Sequence, residues 1–546
     1  MVVWSKAPRP RQQVEMLSPS LDEQIGQSDG VRFLDALLGE VDWSQWEQVY
    51  HQEGPGRPTH HPRIMCAAIL LGLIRGFHST RSLEYATRYC LDFQWLLDGR
   101  SIDHSTFAKF RTLHGERIKG LFRQINRKAA QLKRLSLEEV IVDGTRIRAD
   151  SDRHGARSAE ALERRLAALE GKIAEALEGL EKAQEQGRSD EVHRCEREKR
   201  VLEARKKRDQ KALAVARRRD VVKKSREGSK TPAVRVPVTD PDAHILPNKE
   251  GGYAPNYTPV IAVEAQTGLI IAEQINAGNA ESGCMEGLVE EMEGSLGLKP
   301  QRVLADEVFG RGHDLQSLKD KGVEAYIPLG KDPKGNPTLR ACLEQAVSPA
   351  DWDRLPYRAG KLEKSAFVYK ASEDAYYCPM GHALPAYRRQ SRRGNEGRKV
   401  PVIEYKGAPC EGCPLARRCL SGKARSRTIR RDAYEACREE VRARMNSPQG
   451  QETYERRAPL VEGAFGTIKA AMGVRRFNRR SLQKVREDWT WTCLAFNLKK
   501  VMGWKRNDLG VNALVALNKR LKQYLAAKLH QWLISAGDEA KTAKAA

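Results

Sequence analysis

The sequence predicts an α/β fold: a mixed sheet with flanking helices, interrupted by two insertions and preceded by an all-helical segment. Three observations carry this prediction. Two short apolar runs, Val140-Ile141-Val142 and Val303-Leu304-Ala305, each lead directly into a carboxylate, Asp143 and Asp306. Two β-rich runs, Tyr257 to Glu264 and Leu269 to Ile275, are joined by Ala265-Gln266-Thr267-Gly268, which fits a hairpin. Helical patterns at Ser282 to Leu296 and Leu315 to Lys321 alternate with the strands, and Val323 to Pro328 closes the series.

The chain has 546 residues, too many for one compact core, so about two to four domains are expected. Its 95 Lys and Arg against 71 Asp and Glu give a formal net charge of +24. That excess recurs in several segments and favours an anionic polymer as partner, nucleic acid first, over an ordinary protein with a basic surface. The basic stretch Met1 to Gln13 has no apolar core after it and does not read as a signal peptide. The longest apolar run, Met65 to Ile74, is too short to span a bilayer, which predicts a soluble, cytoplasmic protein without membrane contact.

The elements follow in order. Val31 to Tyr50 can form one amphipathic helix, with Trp43 and Trp46 as packing groups. Pro62 opens a helix to Arg75, Ser79 or Thr80 caps the next, Asp98-Gly99 is a turn, and Asp103 caps a third through Phe107 and Phe110. Short helices with exposed Arg81, Arg88, Lys109 and Arg111 suit a helix-turn-helix-like DNA reader, with a bundle that only packs as the alternative. After Asp143, Leu162, Leu166, Leu169, Ile173, Leu177 and Leu180 recur at coiled-coil steps. A break at Gln186-Gly187 and a returning basic helix make this an antiparallel hairpin whose basic end can lie along phosphates. Residues 331–450 are rich in Pro, Gly and Arg, and helical character returns at Gln451 to Ala471 and Leu482 to Val501. The expected division is a preface over 1–55 and a helical DNA-binding domain over 56–132. A catalytic domain is assembled from 133–150, 236–330 and 451–505, around a helical hairpin at 151–235 and a cysteine-rich insertion at 331–450. A helical tail covers 506–546.

A carboxylate at the end of a buried strand is costly unless a cation compensates it. Asp143 and Asp306 each end such a strand, and two adjacent parallel strands would bring them to one sheet edge. Glu307 competes with Asp306, but strand alternation turns it to the opposite face. A third acid should come from a helix over that edge. In Tyr454 to Lys469, Val461, Phe465 and Ile468 step along a core face, with Glu462 beside them and Lys469 about two turns on. Three carboxylates holding two Mg²⁺ or Mn²⁺ ions about 3.5–4 Å apart serve in-line displacement at a phosphodiester. The basic run Arg475-Arg476-Phe477-Asn478-Arg479-Arg480 follows the helix, where Arg475, Arg476, Arg479 and Arg480 suit phosphate contact.

The chain resembles the DDE transposases of bacterial insertion sequences, the group with an RNase H-like catalytic domain. The likeness rests on Pro62 to Phe122, Val142-Asp143-Gly144-Thr145, Leu304-Ala305-Asp306, and Val461-Glu462-Gly463-Ala464-Phe465-Gly466-Thr467-Ile468-Lys469 followed by Arg475-Arg476-Phe477. Thr239-Asp240-Pro241-Asp242-Ala243 with Asn256-Tyr257 adds to it. The resemblance implies Asp143, Asp306 and Glu462 as the metal-binding triad. It also implies the Tyr–Arg–Glu–Lys signature on Tyr454, Arg457, Glu462 and Lys469, whose basic members contact the transposon end. Four residues separate Arg457 from Glu462 where the usual signature has three. The implied activity is cleavage of double-stranded DNA at element ends and strand transfer into target DNA by a homodimer. The competing readings are a non-catalytic DNA-binding protein and a metal nuclease that cuts without joining.

The cysteines point to a second metal. Cys410-x₂-Cys413-x₅-Cys419, with Cys378 in a Gly/Pro turn, suits a four-thiolate structural Zn²⁺ site, with His382 and Cys437 as spare ligands and an iron–sulfur cluster as the alternative. Such a site would stabilise an insertion too poor in apolar residues to fold alone.

Overall fold

The computed structural model describes residues 19–50, 59–133, 135–227, 231–248, 251–276, 278, 281–330, 334, 336, 339–393 and 399–507. The basic start of the chain and the predicted C-terminal tail lie outside the described residues.

The central sheet contains β1 (Glu139–Gly144), β2 (Pro259–Glu264), β3 (Ile270–Ile275), β4 (Arg302–Ala305) and β5 (Glu324–Tyr326), in the spatial order β5-β4-β1-β2-β3. β1, β2 and β3 run antiparallel as a meander, and β4 and β5 run parallel to β1. This is the mixed sheet that the strand pattern predicts. Val140, Ile141 and Val142 are buried on both faces because helices cover the sheet, so the central strand reads as a continuous apolar run.

Helix packing explains the sheet's burial. Ile118–Lys133 lies against Leu482–Asn507, and both cover the β3 end of the sheet. Leu482–Asn507 is buried on most sides, with Trp489, Trp491, Leu494 and Phe496 inaccessible, as packing rather than base-stacking groups. A buried polar knot fixes the register: Asn497 Oδ1 accepts from the Ile270 amide at 2.8 Å, and its Nδ2 donates to Asn126 Oδ1 at 2.8 Å. Each amide there is satisfied, so the knot specifies one arrangement without leaving an unpaired donor. The buried residues of the N-terminal helices and of the sheet form one continuous hydrophobic core.

The N-terminal helices start where expected. Pro62–Arg75 ends at Gly76 (φ +85°), Ser79 caps Thr80–Tyr89, and Asp103 caps His104–Leu113. Two expectations fail here. The single helix over 31–50 is split into Gly30–Gly39 and Ser44–Glu47, because Glu40 to Trp43 turn so that Trp43 and Trp46 can pack edge to face. Arg111, expected at the surface, is 5 % exposed; its Nη2 donates to Asp488 Oδ1 at 3.2 Å on Leu482–Asn507. A basic residue on a short helix is not evidence of exposure when an acid waits on the facing element.

The antiparallel hairpin is present as α1 (Ala159–Glu185) and α2 (Ser189–Glu227). Leu162, Leu169, Ala176, Leu202, Ala212 and Ala216 form its seam. The block Thr239-Asp240-Pro241-Asp242 anchors the sheet side: Asp240 accepts from Tyr257 Oη at 2.9 Å and from the Ser481 amide at 3.1 Å. Asp242 accepts from the Leu482 amide at 3.0 Å, so the motif caps the long C-terminal helix.

The cysteine-rich insertion is not short of a core. It holds a five-stranded antiparallel sheet built from Val368–Lys370, Ala375–Tyr377, Ala383–Arg393, Lys399–Lys406 and Thr428–Asp432. Leu355, Phe367, Tyr376, Leu384, Tyr405 and Ile429 are buried beneath it. The expectation of a segment too apolar-poor to fold missed this, because tyrosines fill the core and Pro, Gly and Arg mask them in composition.

Candidate active site and cysteine cluster

Asp143 and Asp306 follow neighbouring parallel strands in step. Val142 pairs with Ala305, so the two acids are the next position on each strand, roughly one strand spacing of about 4.8 Å apart along the sheet. Gly144 follows Asp143 and its amide donates to Asp143 Oδ1 at 2.9 Å. Asp306 ends its strand differently: it caps a 3₁₀ turn over Glu307–Phe309, with the Glu307 amide donating to Oδ1 at 2.7 Å. Strand alternation therefore does not separate Asp306 from Glu307; the strand has already ended, and Asp306 is set apart as a cap.

The helix α3 (Arg457–Gly466) packs against β1. Arg457, its first residue, places Nη2 3.1 Å from Asp143 Oδ1. Its Nε is buried without a hydrogen-bond partner, an unsatisfied donor on the side chain that meets Asp143. Tyr454, on Pro448–Glu455 just before it, joins the same group. Burial raises its phenol pKa, Arg457 opposes this, and the Asp306 and Asp143 carboxylates add to it. Tyr454, Arg457, Asp143 and Asp306 thus share one edge, though they are spread over more than three hundred residues of chain.

Glu462 lies on the exposed side of α3, while Val461, Ala464 and Phe465 bury the other. A π-helical turn, Thr467–Ala471, continues α3 and carries Lys469. Lys469 Nζ donates to Thr145 Oγ1 at 2.5 Å, two residues past Asp143. A wider turn shifts every later side chain around the axis, and such turns recur at functional sites. The sequence reading quoted Thr145 only as the end of the Asp143 stretch, without a role, and missed Glu281, whose carboxyl would meet a Cβ on Gly144 at 2.6 Å. The one signal for Glu281 was the glycine itself, which leaves room for a side chain beside Asp143.

The basic run divides. Arg475 Nε donates to the Lys469 carbonyl at 3.2 Å and is exposed. Arg476 and Arg480 both pair with Asp150 and remain about half exposed. Arg479 does not fit the expected phosphate contact: its side chain is 15 % exposed, and it pairs with Asp488 at 2.7 Å and Glu487 at 2.8 Å. Its donors complete the Arg111–Asp488 network between the N-terminal helices and Leu482–Asn507. Phe477 is buried against Tyr257 and Trp489.

Cys378, Cys410 and Cys413 lie in two glycine turns and Cys419 ends the short helix Ala416–Cys419, near enough for their thiols to influence one another electrostatically. The Cys378 amide donates to the His382 carbonyl at 2.9 Å around Gly381 (φ +79°), where a Cβ would meet the Glu344 carbonyl at 2.4 Å. The Cys413 amide donates to the Cys410 carbonyl at 3.3 Å across Gly412 (φ +73°). Burial pushes the Cys419 thiol up to about 11; Arg427 opposes this, and the thiols of Cys410, Cys378 and Cys413 add to it. Cys437 is elsewhere, with its thiol on Gln316 Oε1 at 2.9 Å.

Among the described residues no three His, Cys, Asp or Glu side chains are gathered closely enough to hold a metal ion. The donor chemistry fits metals in both places. By donor type alone, the two hard carboxylates suit Mg²⁺ or Mn²⁺ and the four thiols suit Zn²⁺. No helix among the described residues is long and apolar enough to cross a membrane.

Residues 377–502 match the family described as Transposase DDE domain, a stretch that holds all four cysteines, Tyr454, Arg457, Glu462 and Lys469. Residues 19–113 match Transposase domain (DUF772). No curated protein matches. Among solved structures, a cryo-EM structure of the piggyBac transposase synaptic complex with hairpin DNA is similar at 11 % identity, over 87 % of this chain and 74 % of that one. Its TM-score of 0.29 is too low to carry an argument. The family implies divalent metal ions in general and DNA as partner. Two transposase family models thus match within one chain, one of them a DDE domain, and together they support a DNA-cleaving DDE transposase.

Proposed function

We propose that the chain cuts the ends of an insertion sequence and joins them to target DNA, with Asp143, Asp306 and Glu462 as ligands of two Mg²⁺ or Mn²⁺ ions. The observation that carries this reading is the in-step placement of Asp143 and Asp306 on adjacent parallel strands, under a helix that carries Glu462 and sets Arg457 on Asp143. When bound, such ions activate the attacking oxygen and neutralise charge on the leaving one.

The chain's own groups hold the DNA. Arg457 and Lys469 flank the acid edge and pair with the phosphates next to the cut. Tyr454 packs beside Arg457 and limits its motion, and Arg475, Arg476 and Arg480 hold the backbone further along. Water attacks the end phosphate, the P–O bond breaks, and a 3′-hydroxyl is freed. That hydroxyl attacks a target phosphate in line and a target 3′-oxygen leaves, so each step exchanges one P–O bond for another. No covalent enzyme intermediate is required. Two ends are processed together, which calls for a homodimer on DNA. The helical segment over 56–132 docks DNA for this centre. Cys378, Cys410, Cys413 and Cys419 hold a structural Zn²⁺, in a cytoplasm whose reducing conditions keep these thiols free.

The deciding experiment is cleavage of end-bearing duplex with Mg²⁺ by the full chain and by Asp306→Asn, followed by strand transfer from pre-cut ends. Wild type should yield both cut and joined products and the variant neither. Equal cleavage by the two proteins removes the triad, and cutting without joining turns the chain into a nuclease.

A further inference from the structure

The helical hairpin carries a surface that the active site does not use. Its two helices differ in charge: α1 has 4 Lys and Arg against 7 Asp and Glu, whereas α2 has 15 against 8. The acids are spent at the seam and its borders. Asp209 is fully buried and pairs with Arg165 at 2.6 Å. Glu170 and Glu163 on α1 pair with Lys206 at 2.8 Å and Arg217 at 2.7 Å. The basic residues facing α1 are thus neutralised within the hairpin.

On the face of α2 turned away from α1 the basic charge is only partly neutralised, with Arg200 paired to Glu196 at 3.3 Å. Arg197, Arg200, Lys207, Arg208, Lys211 and Arg218 recur there at helical steps and are exposed. Among the described residues Arg197, Lys207 and Arg208 have no carboxylate partner. Exposed Glu203 borders the stripe, one helical step from Arg200 and Lys207, and Val201, Ala204 and Ala214 stand between its charges. From Arg197 to Arg218 the stripe is about 32 Å long, at 1.5 Å per residue. One turn of duplex DNA is about 34 Å, with a phosphate charge every 1.7 Å or so of axis.

We infer that the outer face of α2 is a second DNA-contact surface, which lies along the backbone of about one turn of duplex. A second copy of this chain is a poorer occupant, because two such stripes would repel one another. The base of the hairpin is tied to the catalytic domain, with Arg219 donating to the carbonyls of Asp242 at 2.9 Å and Ala243 at 3.0 Å, next to the cap of Leu482–Asn507. Duplex held on α2 is therefore held at a fixed place relative to the sheet. The inference takes only its polyanion, DNA, from the functional reading above.

The test is binding of the full chain to a duplex of random sequence, by fluorescence anisotropy over a series of salt concentrations. The fourfold variant Arg197→Gln, Lys207→Gln, Arg208→Gln, Lys211→Gln changes only exposed groups, and its circular dichroism and melting should match wild type. At about 0.9 per neutralised phosphate, the four lost charges should lower the slope of log affinity against log salt by up to about 3.6, and affinity at moderate salt by at least about tenfold. End-bearing and random duplexes should lose the same factor, since backbone contacts carry no sequence information. An unchanged slope overturns the inference, as does a loss confined to RNA. A variant that binds DNA normally but shows less self-association in sedimentation also overturns it, and makes the stripe a dimer face. None of these readouts uses cleavage, so failure of the catalytic reading and failure of this one are separable.

Discussion

The acid edge of the sheet and the cysteine cluster both collect ligand-type side chains, but they are assembled by different means. Asp143 and Asp306 are fixed by strand register, with Val142 opposite Ala305, and that register belongs to the largest hydrophobic core of the molecule. The thiols are fixed by two glycine turns, at Gly381 and Gly412, above a small core of tyrosines and leucines. The acid edge stands on long-range packing. The cysteine cluster is local, and burial already raises Cys419 and Cys378 above the usual thiol range.

The largest effect should come from the weaker scaffold. Replacing Cys410 and Cys413 by Ser, or exposing the protein to a strong chelator, should remove about one Zn per chain and unfold the insertion. Structural zinc contributes on the order of 10 kcal/mol in small domains. Limited proteolysis should then cut within 339–450 while the central sheet stays protected. Full metal-free stability of the insertion would erase the contrast between the two sites.

Next in size is the network that seats the N-terminal helices on the catalytic domain. Asp488 accepts from Arg111 and Arg479, all three with side chains at most 15 % exposed. Asp488→Ala leaves the Arg111 guanidinium buried without its acid, while Arg479 keeps Glu487, and should cost about 3–5 kcal/mol in chemical denaturation. A loss under 1 kcal/mol would mean that water reaches these groups and that the interface is looser than its burial indicates.

Asp306→Asn tests the rigid site. Cleavage should fall at least about a hundredfold, the upper range for disturbing even an outer partner of a metal, while the melting temperature moves little. A large drop in melting temperature instead would reassign Asp306 to its capping role on Glu307–Phe309.

The smallest effect is pH-dependent. His114 is 1 % exposed and stacked on Trp46, with its ring nitrogen 2.9 Å from Tyr50 Oη. Burial, with Arg117 adding, lowers its pKa to about 4. The unfolded chain, near 6.5, binds the proton more readily, so this histidine's contribution is complete above about pH 6.5 and is lost as pH falls toward 4. At pH 5.5 the loss is about 1.4 kcal/mol relative to pH 7.5. His114→Gln should flatten that part of the stability curve, and an unchanged slope would show that other groups set it.

Much of this molecule is legible in one dimension. The alternation of apolar runs and helices gave the strands and helices in their order along the chain, the caps at Ser79 and Asp103 gave the helix starts, and the leucine steps gave the hairpin. Asp143 and Asp306 could be read because each ends an uninterrupted apolar run, and the thiols because their spacing is tight. All of these are local signals, set by backbone propensity and by the periodicity of burial.

What only the tertiary structure decided is pairing across long separations. Arg111 and Arg479 look like surface cations in sequence, and Asp488, which neutralises them, is 377 residues from the first. The π-helical turn that brings Lys469 to Thr145 is invisible as a pattern, because it depends on how α3 is pressed onto β1. Glu281 reaches Asp143's neighbour through a gap that only the absent Cβ of Gly144 leaves open. The sequence by itself determined which residues could act; packing determined which of them are free to.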